Sequence, residues 1–353
     1  MAEAVEVLGK MGETADGATR LLTICIPTHN RRKALEECLE SVLPQADALG
    51  VGVCVSDNCS SDGTWQALET LKRQYPWIQI MRHTRDVGYR GNVIGAVLSS
   101  HAHYVWPIGD KLVLLPGALK YLISVLVHLH PDAVVVNAPG GIVSTVGKEY
   151  STPQSCLNEA GWWTTLCGAT VLPRQAWIDV LHVRPPARDF PQVVALFSYL
   201  ISLPAPRVLF SGRVLIQEGE IAVENHLVSY SLDHVLEIWG RNWYDAIISL
   251  PVAYSTNDKL QVIRSFSEHN GIFGLMGLMR LRARGQLTLP KLNADQMPLR
   301  AAVSVPWRLA VIISVAPRWM LRPILSVHPR RILRAMRRTL RLPRGQQAHW
   351  SAR

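Results

Sequence analysis

Between Leu21 and Asn137 the chain alternates short apolar runs with longer stretches of helical spacing. Leu21–Pro27, Val51–Ser56, Trp77–Arg82, Ala102–Pro107 and Ala133–Asn137 are the apolar runs. Continuous apolar character without polar alternation suits strands buried on both faces, as in a parallel sheet. Residues 31–43, Thr64–Gln74, Asn92–Ser100 and Leu119–His130 repeat apolar positions every three or four residues, as Leu35, Leu39 and Val42 do. That spacing predicts helices, and Asn30 stands at the cap position of the first. Strand–helix alternation of this kind predicts an α/β domain with a mainly parallel sheet.

Past Asn137 the pattern weakens. Residues 138–155 are rich in Gly, Ser and Thr and predict loops or short antiparallel strands. Gly161–Leu172 reads as a buried strand and Trp177–Val180 as the start of a helix. Phe190–Leu203 reads as a helix with Pro191 in its first turn. Arg207–Ile216 reads as a strand, and Val228–Leu250 and Leu260–Arg284 as helices. Residues 301–327 are apolar but broken by Pro306, Arg308, Pro317, Arg318, Arg322 and Pro323. No clean run there reaches the roughly 20 residues of a spanning helix. Arg330–Leu342 sets Ile332, Leu333, Met336 and Leu340 on one side and Arg331, Arg334, Arg337, Arg338 and Arg341 over much of the remainder. A basic amphipathic helix beside a broken apolar segment suits a membrane interface.

With 353 residues the chain has room for one large domain or two. A hydrophobic share of 48% against 18% charged excludes a mostly disordered protein. The six cysteines are scattered without metal-like spacing, and Cys25 and Cys54 lie in apolar strands, so a reducing compartment is expected. Residues 1–20 carry Glu3, Glu6, Glu13 and Asp16 without an apolar core, which predicts a flexible tail rather than a secretory signal. The net charge is +10, and the 12 Arg that follow Asp295 account for all of it. Without them the sum is −2, so the basicity belongs to the tail. Such a tail binds any polyanion, but Trp307, Ile312, Ile313, Trp319 and Leu321 beside it favour an anionic membrane over nucleic acid.

The chemistry gathers where the strands end. PTHN (27–30) closes the first strand, SDNCSSDGT (56–64) the second, RDVGYRGN (85–92) precedes the third helix, and IGDKLVLLPG (108–117) follows the fourth strand. Carboxyl ends of parallel strands form the ligand crevice of open α/β sheets. Order and spacing together make residues 21–137 resemble the nucleotide-sugar-binding half of a family 2 glycosyltransferase of GT-A fold. The pattern YVW-IGD…LLPGAL is also similar to the abequosyltransferase-like branch of that family.

The resemblance implies the following roles. Pro27, Thr28 and Asn30 lie against the nucleotide base, and Asp57 takes a base nitrogen as partner. Asp62-Gly63 forms the turn into the next helix. Arg85, Gly88, Arg90 and Asn92 belong to a loop facing the diphosphate. The family places an Asp-X-Asp motif at 110–112, whose carboxylates hold Mg²⁺ or Mn²⁺. Here Asp110 is the first aspartate and Leu112 stands where the second belongs, with Lys111 beside it. Weak metal dependence is the expectation, since hard cations need oxygen ligands. The base that deprotonates the acceptor is expected at Asp189, whose alternative role is a helix cap, with Glu218 and Glu220 in reserve. Trp162 and Trp163 stack on a sugar or fill the core.

The expected organisation is a tail (1–20), a nucleotide-sugar-binding half (21–137), an acceptor-binding half (138–225), a helical extension (226–295) and a basic membrane-associating segment (296–353). The implied activity is transfer of a sugar from a nucleoside diphosphate to a lipid-linked saccharide on the inner face of the plasma membrane, as in surface polysaccharide assembly. The alternative is a catalytically impaired relative that binds a nucleotide-sugar or a partner.

Overall fold

The computed structural model describes residues 21–142, 146–183, 189–225 and 234–326. The expected N-terminal tail and the amphipathic helix at 330–342 lie outside them. The chain forms two compact units, Met1–Val228 with Ser249–Ser255, and Ser229–Ile248 with Thr256–Arg353.

In the first unit β1 (Leu22–Thr28), β2 (Gly52–Asp57) and β4 (Tyr104–Pro107) are buried along their whole lengths, as their apolar runs require. With β3 (Gln79–Arg82) they pair in parallel in the order β3-β2-β1-β4. The crossovers are α1 (Arg32–Leu49), α2 (Thr64–Gln74) and α3 (Gly88–Leu98). Then come β5 (Leu112–Leu114), α4 (Ala118–Leu129), β6 (Ala133–Asn137), β7 (Lys148–Tyr150), α5 (Pro153–Ala160), β8 (Thr170–Pro173), α6 (Arg174–Val183), α7 (Pro191–Ser202), β9 (Val208–Val214), β10 (Ile216–Glu218) and α8 (Glu220–Glu224). The sheet continues β4-β8-β6-β9-β7, with β8 antiparallel to both neighbours, β6 and β9 parallel, and β7 antiparallel at the edge. β5 and β10 form a separate antiparallel ribbon.

Three local expectations change. Asn30 does not cap α1: the cap position is Arg31, without a side-chain bond. The Asn30 backbone turns to φ 50°, and its Oδ1 accepts the Ser61 amide at 2.8 Å instead. Gly161–Leu172 is not one strand but a 3₁₀ turn (Trp163–Thr165) leading into β8. The apolar run misled because Trp162 and Trp163 are buried in the core, where the Trp163 indole N–H donates to the Val136 carbonyl at 2.8 Å. α3 begins at Gly88 rather than Asn92, since the glycine-containing loop itself supplies the first turn.

The second unit is helical. A π-helical turn (Leu236–Asn242) leads into α9 (Trp243–Ile248), and Trp239 stacks on Phe266 with ring centroids 4.4 Å apart. The stretch expected as one helix at Leu260–Arg284 is two, α10 (Thr256–Asn270) and α11 (Leu275–Arg284). After α12 (Leu289–Ala294) come α13 (Gln296–Ala302), α14 (Trp307–Val315), α15 (Arg318–Leu321) and α16 (Pro323–Ser326). Among the described residues no single helix is long and apolar enough to cross a membrane; α13 and α14 pass together but bend by 115°.

Gly212 fixes where β9 meets the segment before β7. Its φ is +60°, and a Cβ there would lie 2.4 Å from the Gly147 nitrogen and 2.5 Å from the Val146 carbonyl carbon. Gly212→Ala should therefore cost about 2 kcal/mol or more, combining left-handed strain with a backbone clash. Urea denaturation checks this, and a midpoint equal to wild type would contradict it.

Candidate active site

Strand register sets three polar residues in one row: Thr28 pairs with Asp57, and Asp57 with Arg82. All three end parallel strands, so their side chains gather at one sheet edge. The loops that follow are stitched together. The Asn30 amide donates to Ser60 Oγ at 2.8 Å, His29 Nδ1 lies 2.7 Å from the Asn58 carbonyl, and the Asn58 amide donates to the Thr28 carbonyl at 2.9 Å. Asp62 serves the turn, as expected: its two oxygens accept the amides of Arg32 (2.9 Å) and Thr64 (3.1 Å).

Asp57 is fully buried. Its Oδ1 accepts the Ser60 amide at 3.1 Å, and its Oδ2 lies 3.3 Å from Arg82 Nε without hydrogen-bond geometry. Arg82 in turn donates to the Ser60 carbonyl at 2.7 Å. The carboxylate expected to meet the base is thus enclosed, and what it orients is the half-exposed Arg82 and the 58–60 loop.

The loop ahead of α3 is built around Asp86. Its Oδ1 accepts Asn58 Nδ2 at 2.6 Å and the Gly88 amide at 2.7 Å, and these bonds hold its carboxyl below the usual range. Gly88 takes φ +71°, the left-handed turn that starts the helix. Arg85 is exposed, whereas Arg90 is half-buried with its Nε unpartnered. Asn92 is buried: its Nδ2 donates to the Thr28 carbonyl at 3.0 Å, and its Oδ1 lacks a partner.

Asp110 closes the site. It is 3% exposed, and both oxygens are engaged, Oδ2 by the Thr28 hydroxyl at 2.9 Å and Oδ1 by Arg31 Nη1 at 3.1 Å. Burial pushes its carboxyl up, and Arg31, Thr28 and Lys111 offset that only in part. Lys111 Nζ donates to Glu218 Oε1 at 2.5 Å. Leu112 is 2% exposed in β5, where it pairs with Glu218 of β10. Its side chain belongs to the core. A divalent cation of the kind the family uses does not fit these residues: one carboxylate is enclosed and already bonded, and Leu112, at the motif's second aspartate position, is apolar. Among the described residues no group of three or more His, Cys, Asp or Glu could hold a metal ion.

Asp189 does not cap α7, because the cap position is Phe190, one residue on. Tyr89, 37% exposed overall, carries a hydroxyl whose acidity is strongly suppressed. Burial raises that hydroxyl well above its ordinary value, and Cys167, to which it is hydrogen-bonded, Asp189 and Asp110 add to the rise. Of the reserve carboxylates, Glu218 is tied to Lys111. The Glu220 amide and that of Ile221 donate to Glu37 at 2.6 and 3.1 Å, so Glu37 caps α8. Sequence reading missed Arg31, Arg82, Tyr89 and Cys167. Arg82 had a signal as the last residue of an expected strand, and Tyr89 as a member of the 85–92 loop.

Comparison with known proteins bears on the family and the fold. Residues 23–171 match the sequence model of glycosyl transferase family 2. This segment is a family 2 glycosyltransferase domain. The chain shares 33% identity over 104 residues with abequosyltransferase RfbV of Salmonella typhimurium, covering 29% of this chain and 31% of that protein. It shares 32% over 100 residues with a dolichol-phosphate mannosyltransferase of Pyrococcus furiosus, covering 28% and 26%. The chain thus spans under a third of the length of these curated relatives. Among solved structures, S. aureus TarS 1-349 in complex with UDP-GlcNAc superposes with TM-score 0.56 at 18% identity over 87% of each chain. The same fragment with UDP gives 0.52 at 16% over 94% of each. The mixed sheet described above is the GT-A fold.

A carboxyl whose folded pKa lies above its unfolded value stabilises the fold at low pH and loses that contribution as pH rises. Asp110 is such a group. The stability of Asp110→Asn relative to wild type should therefore improve as pH rises from about 4 towards 7, by urea denaturation. A trend in favour of wild type would mean that the Arg31 pairing outweighs burial.

Proposed function

We propose that this protein is a glycosyltransferase that moves a sugar from a nucleoside-diphosphate sugar to a hydroxyl of a membrane-associated saccharide. The observation that carries the reading is the sheet-edge cluster of Thr28, Asp57, Asn92 and Asp110, joined by strand register and by the Thr28–Asp110 and Asn92–Thr28 hydrogen bonds. The donor lies along the 28–31, 58–62 and 85–92 loops. Thr28 and Asn92 brace its floor, Arg82 is the base-side contact that Asp57 orients, and Arg85 and Arg90 lie towards the phosphates.

In the reaction, the acceptor oxygen attacks the anomeric carbon while the bond from that carbon to the diphosphate oxygen breaks. For inverting transfer, Asp189 takes the acceptor proton, and the departing diphosphate carries away the electron pair. General-base catalysis of this kind contributes about two to four orders of magnitude. Asp189→Asn should lower transfer by roughly that factor, with nucleotide binding and Tm close to wild type. A thermal-shift screen of nucleoside diphosphates identifies the donor base for this assay. Near-normal transfer in Asp189→Asn would move the base elsewhere, with Glu218 first in line.

The acceptor is proposed to be carried on a lipid at the cytoplasmic face of the plasma membrane, where the protein is peripheral. Dolichol phosphate in the Pyrococcus relative's name and abequose in the Salmonella relative's name favour lipid-phosphate carriers and surface polysaccharides. Within the second unit, Ile312, Val315, Trp319 and Met320 are each more than half exposed, beside the exposed Arg308, Arg318 and Arg322. Apolar side chains with Arg among them suit an anionic bilayer surface. Deleting residues 329–353 should weaken binding to anionic vesicles and lower its salt sensitivity, each Arg near the surface contributing about 1 kcal/mol. Trp319→Ala should weaken it at constant salt sensitivity. A full-length protein that stays unbound in low-salt flotation would refute the membrane reading.

A further inference from the structure

We infer that the donor diphosphate is neutralised by the side chains of Arg31 and Lys111 in place of a divalent cation. This rests on the donor reading above and concerns how the same site holds its phosphates. Asp110 has the place from which the family's metal would be held, but its two oxygens are bonded to Thr28 and Arg31, and it is almost completely enclosed. A cation at Oδ1 would have to displace a guanidinium 3.1 Å away and then sit beside it. The position that should supply a second carboxylate is Leu112, committed to the core.

Arg31 is suited to the role the metal leaves. It is the last residue before α1, next to the base-side turn, and about a quarter of its side chain reaches solvent. A guanidinium carries five N–H donors in a planar fork that matches phosphate oxygens. Asp110 and Thr28 then act as positioning groups: Thr28 anchors the carboxylate, and the carboxylate aims Arg31. Lys111 provides a second positive charge from the same turn. In this structure it is held by Glu218, which is half-exposed. The Lys111 side chain is 13% exposed, so its ammonium needs an anionic partner, and a phosphate oxygen can take the place of the Glu218 carboxylate. Without ligand, Arg31 pairs with Asp110 and Lys111 with Glu218. An arriving diphosphate draws on both cations without needing an ion from solution.

The test is calorimetric titration of the full chain with ADP, CDP, GDP, UDP and dTDP, in EDTA and again in Mg²⁺ or Mn²⁺. The tightest binder should change affinity by less than about threefold between buffers, and Arg31→Gln should weaken it roughly tenfold or more in EDTA. Arg31→Lys should recover part of the loss. Because Arg31→Gln leaves Asp110 buried without its ion pair, Asp110→Asn provides the companion measurement. Losing the group that aims Arg31 should weaken binding by the same factor in EDTA and in Mn²⁺, whereas loss of a metal ligand would weaken it only where Mn²⁺ is present. Binding that appears only with metal, with Mn²⁺ seen by electron paramagnetic resonance in wild type and lost in Asp110→Asn, overturns this inference and leaves the donor reading standing. No binding of any nucleotide in either buffer overturns both.

Discussion

A carboxylate buried at the end of a sheet must be paired, and the pairing of Asp110 organises everything around it. Taking an ion out of water costs several kcal/mol unless its oxygens are bonded. Here Thr28 comes from β1 and Arg31 from the residue before α1, so one bond ties the β4–β5 turn to the strand and the other to the helix. Thr28 is itself fixed by its carbonyl, which accepts from Asn58 and Asn92. Four chain segments thus converge on Thr28 and Asp110. The edge is held before any ligand arrives, as precise positioning of a diphosphate leaving group requires.

The same interaction separates this chain from the pattern it otherwise follows. The family 2 domain and the GT-A sheet place an aspartate after β4, and Asp110 is there. Burial and its partners make that aspartate an anchor for a cation on the protein. The change is local. It takes Leu112 on a core-facing strand position, Lys111 with an exposed acidic partner, and an arginine three residues after Thr28. The sheet order, the crossovers and the base-side loops need not change with it, because strand register alone aligns Thr28, Asp57 and Arg82.

The parallel half of the fold was legible from sequence because buried strands leave a continuous apolar trace and the helices between them a 3.6-residue one. Errors arose where one signal has two causes. Trp162 and Trp163 read as strand because aromatic residues are buried in turns as well as in sheets. Asn30 read as a cap because Asn favours both helix starts and left-handed turns, and the neighbouring Ser61 amide decided for the turn. Within the site, Thr28, Asn92 and Asp110 were found by motif order, and the structure brings them into contact. Asp57 was found too, but a one-dimensional motif does not show that Arg82 and Ser60 enclose its carboxylate. Arg31 was missed for a related reason. Nothing in a basic residue after Thr-His-Asn tells that it reaches a carboxylate 79 positions away.

The account turns on whether the phosphates meet protein cations or a metal at Asp110. The most direct measurement is a crystal structure with the cognate nucleoside diphosphate, from crystals soaked in Mn²⁺ and measured at the manganese edge. The account predicts Arg31 within hydrogen-bonding distance of a phosphate oxygen, Lys111 turned from Glu218 towards the diphosphate, and no anomalous peak beside Asp110. A manganese peak bridging Asp110 and both phosphates, with Arg31 displaced from the carboxylate, would contradict it.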